Sequence, residues 1–203
     1  MKKSLLALAM FAMVGTAFAD GASVSLDYQR QTVDNGSGPA QYQTSLQVKQ
    51  KINDLITVDA GINAAQNENF APGSSKNFKD SYRLEAGVTA QHAIYGPVDG
   101  YARLGIGQKA PSGTEAFAYN SEELGVIAHL PAGFDAKLGY RWRQAFDTDL
   151  NAGQTDTTRT TRMAVAYNID KKNVIAINCD KVRADSANGG NQTAYHATYT
   201  YKF

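Results

Sequence analysis

Apolar and polar residues alternate with a period of two along most of the chain, as they do on a strand whose two faces have different surroundings. The stretch 193–203 shows this most clearly. One face carries Tyr195, Ala197, Tyr199, Tyr201 and Phe203, and the other carries Ala194, His196, Thr198, Thr200 and Lys202. A strand face of four aromatic rings and one alanine is typical of a barrel strand that meets lipid.

The same alternation predicts ten strands. They cover 22–31, 41–52, 55–65, 81–94, 98–109, 122–130, 134–143, 159–169, 173–183 and 193–203. We expect them to form an all-β fold, a ten-stranded antiparallel transmembrane β-barrel with up-and-down meander order. In such a barrel the last strand closes on the first.

The connections between these strands alternate in length. Short turns rich in turn-forming residues lie at 53–54, 96–97, 131–133 and 170–172. Longer polar loops lie at 33–40, 66–80, 110–121, 147–158 and 184–192. Short turns on one rim and long loops on the other are the asymmetry of an outer-membrane barrel.

A soluble β-sandwich also alternates, and a periplasmic sandwich is the competing interpretation. The positions of the aromatic residues favour the barrel. One set lies near the long loops (Tyr28, Tyr42, Tyr82, Trp142 and Phe146), and the other lies near the short turns (Phe134, Tyr167, Tyr201 and Phe203). Two aromatic girdles around an aliphatic band are expected at the two interfaces of a bilayer.

The first residues predict a secretory signal peptide. Lys2 and Lys3 precede an apolar run at 5–14 and a small-x-small site at 17–19. We therefore expect a signal peptide at 1–19 and a barrel domain at 20–203. Removing two lysines changes the net charge from +1 to −1 (18 basic against 19 acidic residues), which excludes the strongly basic field of a nucleic-acid-binding protein. Cys179, the single cysteine, excludes an internal disulfide and is expected to be apolar and unreactive.

A signal peptide, ten amphipathic strands and the ending Tyr-Thr-Tyr-Lys-Phe at 199–203 together resemble the small outer-membrane β-barrel proteins of Gram-negative bacteria. The resemblance implies a monomer in the outer membrane, surrounded by lipid and lipopolysaccharide. It also implies that Tyr199, Tyr201 and Phe203 form the signal read by the barrel-assembly machinery.

Two further stretches are similar to the oligogalacturonate-specific monomeric porins. They are Gly-Tyr-Arg-Trp-Arg at 139–143 and Asp-Lys-Val-Arg at 180–183. Those porins look like twelve-stranded barrels, whereas this chain predicts ten strands.

The candidate functional residues are basic side chains on the predicted inner face. They are Arg83, Arg103, Lys137, Arg141, Arg143 and Arg162, with Lys49 and Lys109 elsewhere on the wall. Such a set selects small anionic solutes, or it pairs with Asp27, Asp59, Glu85, Glu123 and Asp180 and fills the barrel. A barrel of ten strands is only slightly wider than one whose side chains fill the lumen. The inward glycines are expected to leave empty volume around the arginines; they are residues 61, 87, 105, 107, 125 and 139. Both an open and a plugged lumen are therefore consistent with the sequence.

No catalytic motif accompanies the three histidines. His92 falls on the outward face, and His129 and His196 fall on the inward face without a diagnostic serine or aspartate motif. We therefore expect no enzyme activity and no cofactor. We also expect no metal site, because the acidic loop 147–158 lacks the spacing of a calcium loop.

The leading hypothesis is a small porin-like channel or solute-binding barrel whose basic lumen favours anionic solutes. The alternative is a closed structural or surface-interaction barrel that acts through its extracellular loops.

Overall fold

A computed structural model of the protein describes residues 21–34, 40–67, 81–111, 115–146, 157–184 and 191–203. The predicted signal peptide and most of the long-loop residues lie outside these ranges. Within them the chain forms ten strands and one short 3-10 turn at Pro131–Gly133. No helix among the described residues is long and apolar enough to cross a membrane.

The ten strands follow the predicted order. They are β1 (Ala22–Val33), β2 (Gln41–Lys51), β3 (Ile56–Asn67), β4 (Ser81–Tyr95), β5 (Val98–Pro111), β6 (Phe117–His129), β7 (Phe134–Ala145), β8 (Thr158–Asn168), β9 (Asn173–Ala184) and β10 (Gln192–Lys202). Each pairs antiparallel with its neighbours, and β10 pairs with β1 to close the barrel, with Leu26 opposite Tyr199. The predicted fold is confirmed, and the sandwich interpretation is wrong.

The burial of side chains is the reverse of that in a soluble domain. Polar groups such as Asp59 and Asp180 point inward and are buried. Aliphatic side chains point outward, and Leu104 and Ile177 are 66% and 73% exposed. This arrangement follows from the period-two pattern, because each strand sends alternate side chains to the lumen and to the outer surface.

The aromatic girdles form contacts at both rims. Tyr28 stacks on Tyr42 near the long loops, with ring centroids 6.1 Å apart. Near the short turns, the Phe134 and Tyr167 centroids lie 4.8 Å apart. The rings therefore bracket the outward aliphatic band, as the sequence predicted.

One predicted loop is partly strand. β6 begins at Phe117, not at residue 122, so the loop predicted at 110–121 is shorter than expected. Phe117, Tyr119 and Ser121 continue the inward face and are buried. The amphipathic pattern is reversed here, because two aromatic rings point inward while Asn120 and Glu122 point outward. This reversal explains why the first part of β6 was predicted as a loop.

Candidate functional site

The lumen holds a continuous cavity of about 850 Å³. Its lining extends from Gln31 and Phe117 near the long-loop rim to Gln91 and Asp135 near the short-turn rim. All six predicted basic residues line this cavity, and so do Lys49 and Lys109. The period-two pattern therefore identified correctly which charged side chains face inward.

The lining carries an excess of positive charge. Its basic members are Lys49, Arg83, Arg103, Lys109, Lys137, Arg141, Arg143 and Arg162, and its acidic members are Asp27, Asp59, Glu85, Glu123, Asp135 and Asp180. Eight cations and six anions give a formal lining charge of +2, with histidines taken as neutral. The excess is small, so the pairing of individual groups decides where positive charge remains available.

Arg103 anchors the first ion-pair cluster, which we call the Glu85 cluster. Its guanidinium binds Asp59 through Nε at 3.0 Å and Nη2 at 2.7 Å, and it binds Glu85 through Nη1 at 2.6 Å. Glu85 also accepts a hydrogen bond from the Tyr119 hydroxyl at 2.7 Å and from Arg143 Nη2 at 3.2 Å. The Arg143 contact joins β7 to β4, so this cluster connects strands that are three apart in the barrel.

Glu123 is the centre of the second cluster, the Glu123 cluster. Its side chain is 2% exposed and contacts Arg162 Nη1 at 2.9 Å and Lys137 Nζ at 3.1 Å. It also accepts a hydrogen bond from the Tyr101 hydroxyl at 2.7 Å. Arg162 bridges onward to Asp180 at 3.2 Å. Four of the six predicted residues are thus engaged by lumenal carboxylates, in the manner of the filled-barrel interpretation.

The inward glycines make these contacts possible, and they do not leave the empty volume that was expected around the arginines. The Arg103 side chain lies flat over Gly87, where an added Cβ would come 2.5 Å from Nη2. The Tyr101 ring lies over both Gly125 and Gly139, which are cross-strand partners. Because a glycine has no side chain, a large neighbour can cross it and reach a carboxylate two strands away.

Arg141 differs from the paired arginines. No ion pair joins it to any residue in the described ranges, and its buried Nε lacks a hydrogen-bond partner there. It lies opposite Glu123 in the β6–β7 register and next along the inner face from Arg143. The Nε atom of Arg83 also lacks a partner, although its guanidinium lies 6.0 Å from the centre of the Tyr119 ring. Arg141 is therefore a lumenal arginine whose charge is not balanced by an ion pair within the described ranges.

The inward histidines contact carboxylates. His129 lies between Asp135 at 2.7 Å and Asp99 at 3.1 Å at the short-turn rim. His196 lies between Asp27 at 3.2 Å and Asp180 at 3.5 Å, so it extends the Glu123 cluster to β10 and β1. No group of three or more potential metal-ligating side chains in the described part of the chain is placed to hold an ion.

Sequence reasoning missed the part played by two tyrosines. Tyr119 lay in a predicted loop, and Tyr101 was not among the predicted site residues. A signal was present, since Gly125 and Gly139 face each other and Gly107 faces Tyr119 in the β5–β6 register. Glycines on neighbouring strands at one level indicate that a large side chain lies across them.

The fold is similar to those of solved outer-membrane proteins. An outer membrane channel from Pseudomonas putida F1 matches with a TM-score of 0.61 and 11% identity, over 92% of this chain and 97% of that one. The NanC porin matches with a TM-score of 0.53 and 12% identity, over 89% and 100%. The β domain of the Bordetella autotransporter BrkA matches with a TM-score of 0.51 and 13% identity, over 90% and 99%.

No protein-family model matches the sequence, and no curated protein matches it. At these identities the similarity shows the fold alone, a closed antiparallel β-barrel like those of the three outer-membrane proteins.

Proposed function

We propose that the protein is a monomeric porin-like channel of the Gram-negative outer membrane that passes small anionic solutes. The observation that carries the proposal is the continuous lumenal cavity of about 850 Å³, lined by eight basic and six acidic residues. The outward aliphatic band and the two aromatic girdles suit a bilayer. The same proposal includes removal of 1–19 as a signal peptide, contact with outer-membrane lipid and lipopolysaccharide, and recognition of Tyr199, Tyr201 and Phe203 by the barrel-assembly machinery.

Within this channel the two clusters and Arg141 have different tasks. Arg103, Arg143, Arg162 and Lys137 hold the lumen wall through carboxylates, so most of their charge is balanced locally. Arg141 keeps its charge available to a passing anion. Guanidinium groups match carboxylate and phosphate oxygens in a bidentate geometry, so these are the anionic groups that the site would favour.

Single-channel recording in planar bilayers tests the proposal. In a salt gradient, the reversal potential of the wild type should indicate a preference for anions. Arg141→Gln should reduce the anion-to-cation permeability ratio several-fold, because a desolvated charge in a narrow pore acts strongly on ions. Arg30→Gln is the matched control, since Arg30 is exposed on the outward face of β1.

A closed barrel that acts through its surface is the second candidate function. The observation that favours it is the reach of Arg143 from β7 to Glu85 on β4, which takes side chains across part of the lumen. A wild-type protein that folds in the bilayer without conducting would support this candidate and refute the channel. A channel with the same selectivity in Arg141→Gln as in the wild type would refute the assigned role of Arg141.

A further inference from the structure

Four aliphatic side chains form an apolar area on the inner wall of the barrel, in the half of the lumen near the short turns. They are Ile127 on β6, Ala164 and Ala166 on β8 and Ala176 on β9, and all four line the cavity. Each is half-buried, so part of its surface faces the lumen. We call these four residues the apolar wall.

The strand register makes the apolar wall continuous. Ala166 lies directly opposite Ala176, and Ala164 is the next inward residue along β8. Ile127 and Ala164 are both cross-strand partners of Lys137, which lies between them on β7.

The charge of Lys137 does not interrupt this surface. Its ammonium lies 4.3 Å from the centre of the Tyr101 ring and 3.1 Å from Glu123, so it belongs to the Glu123 cluster. The remaining cavity lining near the short turns is mostly polar and includes Ser25, Thr89, Gln91, Thr198 and Thr200. An apolar patch bounded by polar residues is typical of a surface that binds a ligand.

Lys49 on β2 faces the apolar wall across the lumen. β2 is five strands from β7 in either direction around the ten-stranded barrel, and β7 lies between the strands that carry Ile127 and Ala166. Lys49, Ile127 and Ala166 are each two residues from the short-turn end of their strands, so they lie at a similar depth.

The ammonium of Lys49 forms no ion pair within the described ranges, which include all four short turns around this half of the lumen. Its cross-strand neighbour Asp59 is held by Arg103 at 2.7 Å. Asp54, in the turn after β2, contacts Lys51 at 2.7 Å. A cation that lines the cavity therefore lies across from an apolar surface.

We propose that the apolar wall and Lys49 form a binding site for small carboxylates that carry an aromatic or aliphatic body. The carboxylate accepts hydrogen bonds from the Lys49 ammonium, and the body packs on the apolar wall. A carboxylate covered with hydroxyl groups gains nothing from the apolar wall and binds more weakly. The proposal rests on the channel proposed above, because that channel brings the anion to the site.

A ¹⁹F NMR titration of 4-fluorobenzoate into the mature barrel in detergent micelles measures the affinity, with empty micelles as the blank. Ala176→Asn places an amide on the apolar wall and should weaken binding about tenfold, because much of the apolar contact with the ring is lost. Lys49→Gln removes the charge and should weaken binding about fivefold. Ala166→Asn on the neighbouring strand replaces Ala176→Asn if that variant does not fold.

Val182→Asn is the matched control. Val182 is an inward, half-buried residue of the same strand that also lines the cavity, but it lies six residues nearer the long-loop end than Ala176. This variant should bind 4-fluorobenzoate as the wild type does. Ala176→Val keeps the wall apolar and should bind at least as tightly as the wild type, which separates the chemistry of the wall from its shape.

Several results would overturn the proposal. Ala176→Asn could bind as tightly as the wild type, or Val182→Asn could lose as much affinity as Ala176→Asn. Gluconate could displace the probe as well as benzoate does, or the uncharged 4-fluorobenzyl alcohol could bind as tightly as 4-fluorobenzoate. A barrel that binds 4-fluorobenzoate without conducting refutes the channel alone, whereas an anion-selective channel that does not bind it refutes this site alone.

Discussion

Replacing Glu123 with glutamine removes the negative charge at the centre of the Glu123 cluster while nearly preserving the shape of the side chain. Arg162 and Lys137 would each lose their carboxylate partner, now 2.9 Å and 3.1 Å away. Removing one partner of a buried ion pair costs about 3–5 kcal/mol. Arg162 retains Asp180 and both cationic side chains are about one-third exposed, so water and the second carboxylate offset part of the loss. We expect the free energy of unfolding to fall by about 2–3 kcal/mol.

Urea unfolding in phospholipid vesicles measures this change, and the emission of Trp142, the single tryptophan, reports the transition. Glu122→Gln is the matched control, because Glu122 is the adjacent residue but is exposed on the outer face. It should change stability by less than about 0.5 kcal/mol. Equal stabilities for the two variants would refute the view that the lumenal carboxylate holds the wall. The same Glu123→Gln barrel should also prefer anions more strongly than the wild type, because the lumen gains one unit of positive charge.

Gly87→Ala should lower the unfolding free energy by about 1–3 kcal/mol, because its methyl group must displace the Arg103 guanidinium; an unchanged urea midpoint would contradict the packing described. Asp170 lies in the turn after β8, where hydrogen bonds from the Asn173 side chain hold the pKa of the carboxyl below its usual value of 3.8. A lowered folded-state pKa contributes stability above pH 3.8 that is lost as the pH falls through the folded value. Asp170→Ala should therefore be less stable than the wild type at pH 7 but equally stable at the lowest pH. Urea midpoints measured over a pH series test this, and a constant difference in midpoint at every pH would contradict it.

The sequence predicts the barrel well because the side-chain period of a strand is a local property. Alternation places Arg103 and Arg162 inward and Leu104 and Met163 outward without knowledge of any other strand. Strand order and closure of β10 on β1 follow from the even count and the short turns. The largest difference is at β6, which begins five residues before the predicted start because its first inward residues are aromatic and reverse the amphipathic pattern.

The pairing inside the lumen is not a local property. Arg143 and Glu85 are separated by 58 residues, and their contact depends on the curvature of the wall and on which side chains lie flat. The sequence supplied the five acids as candidate partners but not the choice among them. It also gave no reason to separate Arg141 from Arg143, although one is free of ion pairs within the described chain and the other contacts Glu85.

The ring of Tyr101 over Gly125 and Gly139 has a consequence for the width of the lumen. A tyrosine that stood upright from the wall would take up space along the diameter, whereas this one takes up space along the circumference. The width of the lumen therefore depends less on the size of the residues that line it, because large side chains can lie along a ten-stranded wall. Replacing one of these glycines with a larger residue would turn the tyrosine toward the barrel axis, so the width of the lumen can change with no change in the number of strands.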